Sequence, residues 1–329
     1  MPKAPAAPST SRRGEALGYV FGFIGVASFS LTLPATRVAV QSIDPMLVAS
    51  GRAVLAAVIG ALCLLLARAA RPRGSQWGSV AIVALCLGCL FPYLASIGSF
   101  YAPSSHGAVI LGLLPIFTSL AGMLRVGERL SRGFWLAGAL GSGAVIAFAL
   151  WQNRGQGLQL ADLALFAAAI VASFGYAESA RVAPGLGSWQ VVCWALILAL
   201  PVTVSISVYR WAVHPPHDIP AAAWGSFAYV AAVSQLFAVM IWTHGLKLGG
   251  VARIGQLQLL MPFMTFGVAA WWLGESVGPA TWIAASVVLL SILLSRNSGI
   301  ARREVAALPA DHPNPQILPA STSRAIVQP

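Results

Sequence analysis

Between Gly74 and Leu124 the chain has no Asp, Glu, Lys or Arg. A helix crossing about 30 Å of hydrocarbon uses roughly 20 apolar residues, so this run is too long for one span. It breaks at Tyr101-Ala-Pro-Ser-Ser-His106 and predicts two. Similar stretches lie at Ala16–Thr36, Gly133–Asn153, Val182–Tyr209, Ile219–Leu246, Ile254–Gly274 and Ser276–Ser295. Two more are weaker: Pro45–Ala67 is interrupted only by Arg52, and Gln159–Ala177 carries Asp162 near its start. The expectation is an all-α integral membrane protein of about ten transmembrane helices. Composition excludes the alternatives. Only 9% of residues are charged and 58% are hydrophobic, whereas soluble domains carry about 25% charge and disordered chains need low hydrophobicity.

The formal net charge of +11 does not point to nucleic acid, because the positive charge follows the loops. With the N-terminus cytoplasmic, the inside segments hold sixteen of the 20 Lys and Arg. The outside segments hold Arg37, Arg154 and Arg210, and Arg52 stays within the membrane. That bias is the positive-inside pattern and predicts an inner-membrane protein with both termini cytoplasmic. Trp77, Trp151, Trp189, Trp211, Trp224, Trp271 and Trp272 fall near span ends, as an interfacial aromatic belt requires. Residues 297–329, with Pro309, Pro313, Pro315 and Pro319 among small and polar neighbours, predict a disordered cytoplasmic tail. Cys63, Cys86, Cys89 and Cys193 lie within spans, so no disulfide framework is expected.

Pro115 and Pro262 stand 147 residues apart, and the same offset pairs Gly127-Glu128 with Gly274-Glu275 and Trp135 with Trp282. Two copies of about five spans, an odd number, must insert upside down relative to one another. Inverted repeats with a midplane site are a recurring plan of secondary transporters. The expected organisation is a cytoplasmic tail over residues 1–15, a first repeat over 16–153, a second over 154–296, and the tail over 297–329.

With these features the chain resembles the EamA-type branch of the drug/metabolite transporter superfamily over roughly residues 16–296. The resemblance rests on the 5+5 layout, the block Pro115-Ile-Phe … Gly127-Glu128-Arg129-Leu130-Ser131 … Trp135, and its echo in the second half. Arg52 also resembles an arginine common in that family. The resemblance implies a cavity lined by spans one to four and six to nine, with five and ten peripheral, and it leaves the substrate open. The first span has no acid after Glu15. It therefore lacks the buried glutamate of the related small drug pumps, and with it their proton-driven mechanism.

Arg52 leads the candidate site residues. Seven residues past Pro45, at 1.5 Å per residue, it sits about 10 Å deep, where a charge is costly and functional by default. It is either a substrate anchor or a structural partner of carbonyls freed at a kink. Glu178, near the inner end of its span, has Arg181 at i+3 and is expected to form an ion pair with it. Gln235, Gln256 and Gln258 are neutral polar groups at membrane depth that should point inward, as cavity residues or as interhelical glue. Tyr93 and Trp194 either stack on substrate or pack the core. Pro34, Pro92, Pro115, Pro201 and Pro262 each free the carbonyl four residues earlier. For the repeat pair these carbonyls belong to Leu111 and Gln258, and Pro115 and Pro262 are assigned to cavity shaping and hinge motion.

His106 and His244 lack nearby acids in sequence. Cys86-Leu-Gly-Cys89 is read as small apolar packing, and no metal or cofactor is expected. Small residues on spans five and ten (Gly133, Gly138, Ser142, Ala280 and Ala284) permit close helix contacts, within one chain or across a homodimer. The function expected is a secondary transporter, acting as an exporter, of a small organic metabolite such as an amino acid or related solute. The partners are that small-molecule substrate and the lipid bilayer. The alternatives are a membrane sensor, for which neither tail offers an output domain, and an intramembrane enzyme. The enzyme would need convergent acids or bases, and the nine Asp and Glu lie nearly all in loops or at span ends.

Overall fold

The structure, a computed structural model, describes residues 12–101, 113–152, 160–264, 279–297 and 300–302. Helix α1 runs over Arg12–Ser30 and α2 over Thr32–Val40, and α3 is Pro45–Leu66. Helix α4, Gln76–Val83, passes through a π-helical segment, Ala84–Leu90, into α5, Phe91–Tyr101. Helix α6 is Leu114–Val126, α7 Arg132–Gln152, α8 Leu160–Leu186 and α9 Ser188–Val213. Helix α10, Ala221–Ala228, continues through a second π-helical segment, Tyr229–Ala238, into α11, Val239–Gly249. Helix α12, Val251–Gly255, leads into a 3₁₀ segment, Gln256–Leu260, and α13 is Pro279–Asn297. A short antiparallel pair joins β1, Glu128–Leu130, to β2, Ile300–Arg302.

Among the described residues, six helices are long and apolar enough to cross a membrane: Arg13–Val40, Pro45–Leu66, Gln76–Tyr101, Leu163–Leu186, Ser188–Val213 and Ala221–Gly249. Leu114–Val126, Arg132–Phe148 and Trp282–Ser295 are shorter apolar helices. Apolar side chains cover the outside, with Leu65, Leu66, Leu136 and Trp282 all exposed, while Ser50, Arg52, Thr118, Ser173, Glu178, Gln256 and Gln258 are buried. Polar groups in hydrocarbon must find partners inside the protein, so this inversion is what a bilayer imposes. The molecule is an all-α, multi-pass membrane protein.

Local chemistry sets the helix ends. Asp44 accepts from the Leu47 N–H at 3.0 Å and Pro45 occupies the first turn; together they start α3. The expected boundary between Gln159–Ala177 and Val182–Tyr209 is displaced. Helix α8 continues through Glu178 and Arg181 to Leu186, and the break falls at Gly187, where φ is +100°. Glu178 and Arg181 pair with each other, so together they do not end a helix as lone charges would.

The sequence predicts that Pro92 frees the carbonyl four residues back, that of Gly88. The π geometry moves the vacancy by one residue. The Phe91 N–H donates to Cys86 O, five residues earlier. Leu87 would be served by residue 92, which as proline has no N–H. Gln235, from the second π-helical segment, donates its Nε2–H to Leu87 O at 2.6 Å.

Close backbone contact joins the chain's two halves. Helix α1 packs on α11, α3 on α9, α5 on α8 and α7 on α13. A Cβ at Gly245 would meet Gly22 N at 2.8 Å, and one at Gly18 would meet Gly249 N at 2.8 Å. Glycine lets these two helices touch backbone to backbone.

Candidate functional site

A cavity of ≈ 60 Å³ lies between the halves. Its walls come from α1 and α2 (Phe29, Thr32, Leu33), α5 (Phe91, Ala95), α6 (Leu114), α8 (Leu165, Ala168, Ala169, Ala172, Tyr176) and the region of Gln258 and Met261. Among the described residues, helices α3, α7, α9 and α13 contribute no wall.

Three rings back the cavity. Phe29 stacks on Tyr176 with centroids 5.9 Å apart, and Trp242 meets them edge-on at 6.1 and 6.0 Å. Trp242 is fully buried, with its Cβ 3.1 Å from where a Cβ on Gly25 would sit. The sequence expectations omitted these rings; the spacing of Gly18, Gly22 and Gly25 along one helix was the signal for a close crossing.

Arg52 is fully buried on α3. Its Nη2 donates to Ser234 Oγ at 3.2 Å, and Ser234 Oγ lies 2.8 Å from Thr32 Oγ1. The guanidinium carbon is 6.0 Å from the centroid of Phe91, within cation–π range. Nε and Nη1 have no hydrogen-bond partner. Thr32 and Phe91 line the cavity, so the guanidinium stands one side chain behind its wall. Arg52 bonds none of the carbonyls of a kinked helix among the described residues.

The other predicted positions divide. Gln258 lines the cavity, and its Oε1 accepts from Thr118 Oγ1 at 2.8 Å. Thr118 also contacts Ser173 Oγ at 3.1 Å, which ties α6 to α8. Gln235 is committed to Leu87 O. Gln256 lies against Gly138 of α7, with Nε2 3.4 Å from Ser119 Oγ and Oε1 unpartnered. Tyr93 is half-buried on α5, outside the cavity lining. Trp194 donates to Ala70 O at 3.1 Å.

Pro115 is in the first turn of α6, where its missing N–H costs no helical bond. Pro262 lies one residue past the 3₁₀ segment, after Met261, and the carbonyl of Gln258 is not left free, contrary to expectation, since the Met261 N–H donates to it. His106, Leu111, Trp271, Trp272, Gly274 and Glu275 lie outside the described residues.

Four of the acids, Glu15, Asp44, Glu128 and Glu178, are occupied. Glu178 accepts from Arg125 Nε at 2.7 Å and from Arg181 Nε at 3.1 Å, and Arg181 also reaches Ser79 Oγ at 2.6 Å. The Arg181 pairing expected from the i+3 spacing is present, and Arg125 is an addition. Glu128 accepts from the N–H groups of Val251 and Ala252, both at 2.8 Å. Its carboxylate therefore caps the start of α12. This role was not read from the Gly127-Glu128 motif, although the motif marked the position.

Glu15 pairs with Arg253 at 2.7 Å. Toward the opposite end of the bundle, Asp44 pairs with Arg210. Burial raises the Asp44 carboxyl, but hydrogen bonds from Arg210 and Leu47 outweigh it and hold the group below its usual range. No group of three or more metal-ligating side chains occurs among the described residues.

An apolar exterior, buried polar side chains and a cavity shared by both halves define a multi-pass membrane protein of the solute-carrying kind. The chain belongs to the EamA-like transporter family, which matches residues 16–150 and again 159–297. It is 38% identical over 283 residues to the uncharacterized transporter YdeK of Bacillus subtilis, covering 85% of this chain and 96% of the relative. It is 23% identical over 293 residues to a probable terminal-alkyne amino-acid exporter of Streptantibioticus cattleyicolor, covering 86% and 95%. A crystal structure 16% identical in sequence, covering 84% of this chain and 97% of its own, shares the fold at a TM-score of 0.66.

Proposed function

We propose that the protein is a secondary transporter exporting a small organic metabolite, such as an amino acid or related solute, by alternating access around its central cavity. The observation that carries this is the cavity itself: apolar, walled by both halves of the chain, and backed by one buried guanidinium. Arg52 anchors the solute from behind Thr32, and Gln258 contributes a polar wall. Tyr93, Gln235 and Gln256 act at greater distance, and Pro115 and Pro262 start the helix segments about which the halves pivot.

The halves are inverted five-span repeats, residues 16–153 and 154–296, in a ten-span protein of the inner membrane with cytoplasmic termini. The two separate family matches support the duplication. So do the contacts. Gly245 touches the backbone of Gly18, while Gly98 touches Leu165, and the 147-residue offset converts one pair into the other. Both π-helical segments also fall at equivalent places under that offset.

The test compares metabolites inside and outside cells expressing the wild type or Arg52→Ala. One solute class leaving only with the wild type is the expected result. Wild-type export by a well-inserted Arg52→Ala variant would sink the anchoring role, and no export of any class would sink transport itself.

A further inference from the structure

Arg52 brings a full charge to within one side chain of the cavity wall, and among the described side chains it forms no ion pair with an acid. Glu15, Asp44 and Glu178 are paired with Arg253, Arg210, and Arg125 with Arg181, respectively, and Glu128 is spent on two backbone N–H groups. Asp218 sits exposed in the loop before α10. A buried charge without a counter-charge is strongly unfavourable, so the arrangement is complete only when something else supplies the anion. Guanidinium offers five N–H donors; those on Nε and Nη1 have no acceptor. The hydroxyls of Thr32 and Ser234 form a polar strip from the cavity to that group.

The rest of the cavity limits what the anion can be. Phe29, Leu33, Ala95, Leu114, Leu165 and Ala172 present apolar surface. Among the described residues no carboxylate lines it, so an ammonium entering there would lose its hydration without gaining an ion pair from them. A second anionic group would meet the same apolar wall, and ≈ 60 Å³ suits a body of a few carbons.

We propose that the cavity binds a small monocarboxylate with an apolar body and no cationic group, held through its carboxylate by Arg52. This rests on the transporter proposal and narrows its substrate class: the carboxylate is read, and the amino group of an amino acid is a handicap.

The test is equilibrium dialysis of the purified full-length protein with radiolabelled isocaproate. Leucine, which adds an ammonium to the same skeleton, and isoamylamine, which has only the ammonium, serve as competitors. Isocaproate should bind saturably, with leucine at least about tenfold weaker and isoamylamine not competing. Arg52→Gln should lose at least about tenfold in affinity and Arg52→Lys should lose less. Should Arg52→Gln not fold, Leu33→Trp keeps the arginine and fills the cavity, and it should abolish isocaproate binding.

Leucine binding as tightly as isocaproate overturns the proposal, as does unchanged binding in folded Arg52→Gln or in Leu33→Trp. Absence of isocaproate binding by a protein that exports a solute in the metabolite comparison overturns this ligand class alone. Absence of any export in that comparison overturns the transporter proposal itself.

Discussion

Replacing Gln235 with Met removes the side-chain donor to Leu87 O while nearly preserving volume. The bond is short, 2.6 Å, and buried. No backbone donor stands ready to replace it, because Phe91 N–H is engaged by Cys86 O and residue 92 is proline. An orphaned buried acceptor costs about 1–3 kcal/mol in soluble proteins. Hydrogen bonds between membrane helices average about 0.6 kcal/mol, with a maximum near 1.7. Lacking an alternative partner, Leu87 belongs near the top of the membrane range, so Gln235→Met should destabilise by about 1.5 kcal/mol, about a tenfold change in the unfolding constant. The decisive step is the second substitution. Pro92→Ala restores an N–H five residues after Leu87, where π geometry directs it to that carbonyl. In the Pro92→Ala background the cost of Gln235→Met should fall below about 0.5 kcal/mol, a coupling of about 1 kcal/mol. Reversible unfolding in mixed micelles, followed by tryptophan fluorescence, measures all four corners of the cycle. Equal cost in both backgrounds would refute the claim that Gln235 replaces the missing proline N–H.

Gly245→Ala sets a Cβ 2.8 Å from Gly22 N and should destabilise by about 1–3 kcal/mol through overpacking. Gly225→Ala meets nothing within 4 Å and should be neutral or slightly stabilising, so comparing their thermal midpoints isolates the helix crossing. Glu128→Gln leaves one oxygen for two backbone donors, losing a charge-assisted bond worth about 1.5–3 kcal/mol; a thermal midpoint indistinguishable from wild type would remove Glu128 from the cap. Asp44 titrates below its ordinary value of 3.8 in the folded protein. Its stabilisation is therefore complete above that pH and is lost as pH falls toward the lowered folded value. Between pH 5 and pH 3, chosen as roughly bracketing that range, Asp44→Asn should lose less stability than wild type, and an equal loss would contradict the pairing.

Much of the site was legible one residue at a time. Arg52, the three glutamines and Glu178 stand out because polar groups are expensive in apolar spans, and each is buried as that cost requires. Their separate duties were not legible. Gln258 reaches the cavity, while Gln235 serves a carbonyl 148 residues away and Gln256 faces α7. Hydropathy registers all three alike. Trp242 escaped notice for the opposite reason: an apolar ring in an apolar helix gives no one-dimensional contrast, and its place beside Phe29 and Tyr176 exists only once α1, α8 and α11 meet.

The class of protein and the duplicated pattern were determined by sequence, because a bilayer tests every segment independently for length and charge. The 147-residue offset needs no coordinates either. The vacancy left by Pro92 depended on whether its helix closes bonds over four residues or five, and only tertiary packing decides that. The displaced boundary at Gly187 has the same origin, since Glu178 and Arg181 stay in a helix once Arg125 arrives from α6. The lone guanidinium behind Thr32 was likewise visible only once Glu15, Asp44, Glu128 and Glu178 each had a partner elsewhere. A side chain's polarity is written in the sequence, but its partner is a neighbour in space, and the fold alone chooses neighbours.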